Sequence, residues 1–163
     1  MSKISLSVRS LAATGASAFV MAIAMIAPLE GLEFKPYHDA VGVLTVCYGH
    51  TGKDIIEGKA YSELECEMLL EADLLQVKQQ IDPLITSPVP ETTRAALYTF
   101  TFNVGVRAFS RSTLLKKLNN GDVQSACMEL HRWVYAGGRK WKGLVTRRQI
   151  EEEICSLPLS PSS

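Results

Sequence analysis

No residue between Ser10 and Leu29 carries a charge, and no cysteine precedes Cys47. Charge of either sign is not in excess. Lysine and arginine number 17 and aspartate and glutamate 17, so the chain has no electrostatic footprint for nucleic acid. The three histidines (His38, His50, His131) are scattered. The four cysteines (Cys47, Cys66, Cys127, Cys155) show neither a CxxC nor the Cys/His spacing that holds zinc. No internal repeat is present. These absences exclude a nucleic-acid binder, a zinc-built module and a repeat array. No motif calls for a metal or a cofactor. A thiol switch inside the leading segment is excluded as well.

The uncharged run follows a short basic start, Lys3 and Arg9, and so has the layout of an export signal. As one helix it would measure about 30 Å, enough to span a bilayer. Eleven of its twenty residues are Ala, Gly, Ser or Thr. Leu11, Phe19, Val20, Ile23, Ile26 and Leu29 together favour insertion by only about 2–4 kcal/mol, and Ser10, Thr14, Gly15, Ser17 and Pro28 erode that. The segment is expected to be a weakly held anchor over residues 1–28. Two plainer readings compete: a signal cleaved near Ala22-Ile23-Ala24, and a core helix of a soluble domain. With Lys3 and Arg9 cytoplasmic by the positive-inside rule, everything after residue 30 is exported to a compartment where disulfides persist.

The remainder reads as one domain, 29–157, with a frayed Pro/Ser tail, 158–163. Val43 to Tyr48 is rich in β-branched and aromatic residues and is punctuated by Gly42, Gly49, Gly52 and Gly58, which predicts a small hairpin or three-stranded sheet. Ser62 and Glu65 form a capping box for a helix to about Ile81. After Pro83, Pro88 and Pro90, further helices are expected over Glu91–Val104, Ser112–Asn119, Asp122 to about Tyr135, and Gly143–Leu157. The fold class is α+β, a small antiparallel sheet lobe beside a larger helical lobe. Arg132, Arg139, Lys140, Lys142, Arg147 and Arg148 gather late in the chain, as a patch for an anionic polymer or simply a solvated helix face.

Glu30 and Asp39 are the first candidates for chemistry, with Thr45 in the hairpin. Cleaving a glycosidic bond needs an acid to protonate the leaving oxygen and a carboxylate to activate water or attack the sugar. Glu30 beside Leu29, Leu32 and Phe34 suits the acid, since apolar surroundings favour the neutral carboxyl. Asp39 lies in a polar turn, and the Thr45 hydroxyl can orient a water. Spacing alone leaves these as ordinary surface carboxylates.

The wider pattern is more specific. Leu29-Glu30-Gly31-Leu32, Tyr37-His38-Asp39, Gly42, Thr45 and Gly49-His50 resemble, in order and spacing, the catalytic stretch of the phage lysozymes of glycoside hydrolase family 24. The likeness continues through Ser112-Thr113-Leu114-Leu115, Asn119-Asn120-Gly121-Asp122, Trp133, Ala136-Gly137-Gly138 and Gly143 to Arg148. It implies a phage-lysozyme-like fold and a muramidase. Glu30 would be the general acid, and Asp39 and Thr45 would position or activate water, with inversion. The substrate would be peptidoglycan, cut between N-acetylmuramic acid and N-acetylglucosamine. With the apolar start included, the chain resembles signal-anchor-release endolysins of lambdoid phages. Such enzymes are tethered in the host inner membrane with the catalytic domain in the periplasm, silent until release, and then soluble. Members that use an anchor cysteine are not matched, so refolding of the anchor itself is the expected switch.

Phe102 and Asn103 resemble positions lining that family's substrate cleft; a core Phe and a C-terminal cap explain them equally well. His50 is expected to pair with a carboxylate on the following helix, such as Asp73. Trp133, Trp141 and Tyr135 are candidates for stacking on sugars, although Trp133 at helical spacing fits a core. Four cysteines allow three pairings; Cys47–Cys66 and Cys127–Cys155 are the expected ones. Two alternatives remain: a lytic transglycosylase, in which a water-positioning pair would be idle, and a non-enzymatic wall-binding module. The partners expected are peptidoglycan and the inner membrane, without nucleic acid, and a monomer once released.

Overall fold

The computed structural model describes residues 1–157, so the expected tail lies outside the described residues. The uncharged run is not one helix. It is divided between α1 (Lys3–Ala13) and α2 (Ala18–Glu30), and among the described residues no helix is long and apolar enough to cross a membrane. The break has a local cause. Gly15 takes a left-handed φ of 77°, its N–H donates to Ala12 O, and Ala16 N–H donates to Leu11 O, each at 3.1 Å. That pair of bonds is the glycine-based helix stop known as the Schellman motif. Ser17 then caps α2, its hydroxyl accepting from Val20 N–H.

Folded back this way, α2 is a core element. Ala18, Met21, Ala22, Met25 and Ile26 are buried against α4 (Glu91–Val104), the central helix, whose residues from Ala95 to Thr101 are all buried. Full burial of Met21, Met25 and Ile26 is worth about 5–9 kcal/mol as an upper bound. Helix α1 buries Val8 in the core and docks on α8 (Lys142–Cys155) through Ser5, whose hydroxyl donates to Glu153 Oε2 at 2.5 Å.

The sheet lobe is an antiparallel β1 (Glu33–His38), β2 (Leu44–Cys47) and β3 (His50–Thr51) in sequential order, with Tyr37 opposite Thr45 and His38 opposite Leu44. Helix α3 (Glu63–Ile81) begins at the expected capping box, with Ser62 and Glu65 satisfying each other's backbone N–H. The Cys47–Cys66 disulfide ties the sheet to this helix. The helical lobe continues through α5 (Val106–Ser110), α6 (Thr113–Asn119) and α7 (Val123–Met128), and Cys127–Cys155 joins α7 to α8. Both pairings are those expected from the sequence.

The helix expected from Asp122 to Tyr135 is shorter than that. It ends at Met128, passes through a 3₁₀ turn (Glu129–Arg132), and Tyr135 instead opens a hairpin of β4 (Tyr135–Ala136) and β5 (Arg139–Lys140). Gly137 and Gly138, at φ of 57° and 76°, make its two-residue turn. Left-handed backbone at both central positions is the conformation that matches the twist of a tight hairpin, and two glycines adopt it without strain.

Candidate active site

Glu30 is the last residue of α2, at the junction of the lobes, where Gly31 (φ 71°) turns the chain into the sheet. Its carboxylate is not in the apolar setting expected from its neighbours. Oε1 accepts from Arg147 Nη1 at 2.5 Å, and the Glu30 side chain is 22% exposed. Arg147, nearly buried on α8, also donates through Nε to Glu151 Oε1 (3.2 Å) and through Nη2 to Thr99 O (3.1 Å). Glu151 is fully buried and accepts on its other oxygen from Arg148 Nη1 at 2.6 Å, while Arg148 reaches Asn103 Oδ1 and Trp133 O. Burial pushes the Glu151 carboxyl up to about 7, with Arg148 and Arg147 pulling the other way. Burial likewise lowers the Arg148 guanidinium from its ordinary value.

This network corrects the reading of the late basic cluster as one solvated patch. Arg147 and Arg148 are interior, whereas Arg132, Arg139, Lys140 and Lys142 are exposed. Arg147 is also the site residue that residue-level reading missed. The available signal was Glu151 four residues on, an i,i+4 pair on a helix with apolar neighbours Ile150 and Ile154.

Asp39 and Thr45 meet on a single backbone group. Asp39 N–H donates to Val43 O at 2.9 Å, and the Thr45 hydroxyl donates to the same oxygen at 3.0 Å. Asp39 Oδ1 accepts from Val41 and Val43 N–H at 2.9 and 2.8 Å, which closes the turn between β1 and β2. Thr45 is 5% exposed, and Asp39 is half-buried.

Two hollows share Glu30 as a wall. One, of about 430 Å³, is lined by Asn103, Trp141, Leu144 and Arg147 among others; the second, of about 440 Å³, by Gly31, Leu32, Glu33, Tyr37 and Cys47. Tyr37, the strand partner of Thr45, thus connects the hairpin register to the second hollow. On the same side, a Cβ added at Gly49 would stand 3.7 Å from Glu30 Oε2, so the turn after β2 lies against that oxygen.

The other candidates separate. Asn103 lines the first hollow, and Phe102 packs half-buried against the core. His50 pairs with Asp73 at 2.8 Å as expected, and also with Asp54 at 3.1 Å. Trp133 stacks edge-on against Phe100, with ring centres 5.2 Å apart. Tyr135 and Trp141 are exposed, and only Trp141 is among the residues around Glu30.

An α+β chain with a glutamate at the junction of a small sheet lobe and a helical lobe has the architecture of a lysozyme. The chain belongs to the phage lysozyme family, whose model matches residues 27–151. It is 60% identical over 127 residues to a SAR-endolysin of bacteriophage PS119, covering 78% of this chain and 76% of that protein. It is 52% identical over 129 residues to a SAR-endolysin of Escherichia phage Mu, covering 79% and 75%. Among solved structures, a mutant of the phage P22 lysozyme aligns with a TM-score of 0.74 at 31% identity, over 82% of this chain and 93% of that one. The active form of the phage P1 endolysin shares the fold, with a TM-score of 0.75 at 21% identity over 95% and 94%.

Proposed function

We propose that this protein is an endolysin, a muramidase that hydrolyses the β-1,4 bond between N-acetylmuramic acid and N-acetylglucosamine in peptidoglycan to lyse the host cell. The observation that carries the reading is the position of Glu30 as the common wall of two hollows, with its Oε2 on the side of the sheet lobe. Arg147 holds Oε1, so Oε2 is the oxygen that delivers the proton to the leaving sugar. Asp39 and Thr45, clipped to one carbonyl, place and activate the water that bonds to the anomeric carbon from the opposite face, inverting it. Asn103 would contact the glycan along the first hollow; Phe102 would support that wall from the core side.

The same reading covers the leading segment. Residues 1–28 tether the enzyme in the host inner membrane with its catalytic part in the periplasm, and on release they become α1 and α2. Insertion is favoured by only about 2–4 kcal/mol, so the membrane holds the segment weakly, and the folded domain offers Met21, Met25 and Ile26 a second apolar site against α4. While tethered, Glu30 is held away from Asp39 and Thr45, and misplacement by 1 Å already costs about 10²-fold in rate. The released enzyme acts as a soluble monomer.

Clearing of purified peptidoglycan by the wild type and Glu30→Gln tests the mechanism. The wild type should clear and Glu30→Gln should be slower by about 10²–10⁴-fold, the usual value of general acid catalysis. Near-wild-type clearing by a folded Glu30→Gln would overturn it. Products bearing 1,6-anhydro ends would instead identify a lytic transglycosylase.

A further inference from the structure

We propose that Trp141 is a stacking platform that binds a pyranose ring of the glycan in the groove beside Glu30. The inference rests on the reading of this groove as a glycan cleft. Trp141 lines the same hollow as Glu30 and Arg147, and the residue is 49% exposed. The ring is nonetheless fixed. Its backbone N–H donates to Val134 O at 3.0 Å, its indole Nε1 donates to Ala136 O at 3.0 Å, and the Arg139 guanidinium lies 5.3 Å from its ring centre.

Those contacts decide what the ring can recognise. The one polar atom of the indole is already bonded to the hairpin, so what the ring can offer a ligand is apolar π surface and not a hydrogen-bond donor. A flat apolar face next to a carboxylate suits a sugar ring, which presents a C–H face for stacking and hydroxyls at its rim. Because the hairpin and Arg139 hold the ring before any ligand arrives, little side-chain freedom is lost on binding. The platform is also built into the catalytic frame. Trp141 is the N-cap of α8, and the same helix carries Arg147, which holds Glu30. Gly143, in the first turn between them, also lines the hollow, and a Cβ there would stand in open space. Trp133, the other tryptophan of the chain, is committed to packing on Phe100.

Two measurements on the full chain test this. In Glu30→Gln, titration with soluble N-acetylglucosamine oligomers should shift the tryptophan fluorescence saturably, and adding Trp141→Phe should abolish the shift. With solubilised peptidoglycan fragments, Trp141→Ala should raise KM about 10-fold with kcat nearly unchanged, and Trp141→Phe should recover part of that loss. A Trp141→Ala variant with wild-type KM overturns the platform, as does a fluorescence shift that survives Trp141→Phe. Failure of the hydrolase reading is separately visible. If the wild type clears no peptidoglycan but the fluorescence shift is present and lost in Trp141→Phe, the platform stands and hydrolysis falls.

Discussion

Arg147 spans the 117 residues of chain that separate it from Glu30, and holds the glutamate's Oε1 at 2.5 Å while its Nε reaches buried Glu151. One planar guanidinium therefore serves the candidate acid, an interior carboxylate and the Thr99 carbonyl at once. The position of Glu30 is set by α8 as much as by α2.

This arrangement predicts a double loss for Arg147→Met. Removing one partner from a buried ion network costs about 3–5 kcal/mol, and the lower end applies here because Arg148 still meets Glu151. Clearing should fall by about 10²-fold at temperatures where the variant remains folded, since Glu30 loses its fixed geometry. Arg147→Lys should recover little, because an ammonium lacks the planar fork that reaches three acceptors. Urea unfolding and turbidity clearing measure the two effects separately.

Asp39 and Thr45 allow chemistry to be separated from folding. Asp39→Asn keeps an Oδ1 that can accept from Val41 and Val43 N–H, so the hairpin turn should survive. The charge proposed to activate water is lost, and clearing should drop by about 10²–10⁴-fold with an almost unchanged melting curve. Thr45→Val keeps the buried volume but not the hydroxyl on Val43 O, and Thr45→Ser keeps the hydroxyl. Serine should therefore retain more activity than valine. The reverse order would remove Thr45 from the mechanism.

His50 ties β3 to α3 through Asp73, and its own loop through Asp54. Burial acts to lower the imidazole value, but hydrogen bonds to Asp73 and Asp54, with their charges, outweigh it and leave the net value raised. A raised folded-state value means the stabilisation is fully present below about pH 6.5, the unfolded value, and is lost as pH rises through the folded one. Burial raises Asp73 as well, and Glu151, pushed up to about 7, titrates in the same window, so the imidazole's share of the step is the part that replacing His50 removes. Thermal stability should decline over that alkaline-going window, and His50→Gln should flatten the decline. A wild-type curve that rises across the window contradicts the clamp.

Local signals in the sequence were sufficient where a short-range interaction decides the structure. The Ser62/Glu65 capping box, the Glu91–Val104 helix and the His50–Asp73 pair are all as expected. The signals failed where distant contacts compete. Periodicity carried the helix after Asp122 on to Tyr135, although Gly137-Gly138 was itself a hairpin signal, and strand pairing with Arg139–Lys140 prevailed. Hydropathy joined residues 10–29 into one element, whereas Gly15 and Ser17 carried a stop and a cap that act once a core is available to receive α2. The burial of Arg147 and Arg148 depends on Glu30, Asn103 and Glu151 converging, which no window of sequence contains.

The Gly15 break gives the proposed tether its most direct test. The folded-back form requires φ of 77° at residue 15, and a side chain there meets no atom within 4 Å, so backbone conformation alone penalises a substitution. Leucine in that left-handed conformation costs about 1–2 kcal/mol. In a membrane-spanning helix the same replacement gains about 0.8–1 kcal/mol of helix propensity over glycine and about 0.3–0.6 kcal/mol of insertion. All three contributions favour the tethered form, for a total of about 2–3.5 kcal/mol, or about 30- to 300-fold in the release equilibrium. Gly15→Leu should accumulate in the membrane fraction and delay lysis. Gly15→Asn, which tolerates the left-handed conformation and adds no hydrophobicity, should release much as the wild type does. Purified from detergent and allowed to refold, the Gly15→Leu protein should still clear peptidoglycan, because the residue is remote from Glu30. If Gly15→Leu cells lyse on the wild-type schedule with the enzyme still in the membrane, release and activity are not coupled.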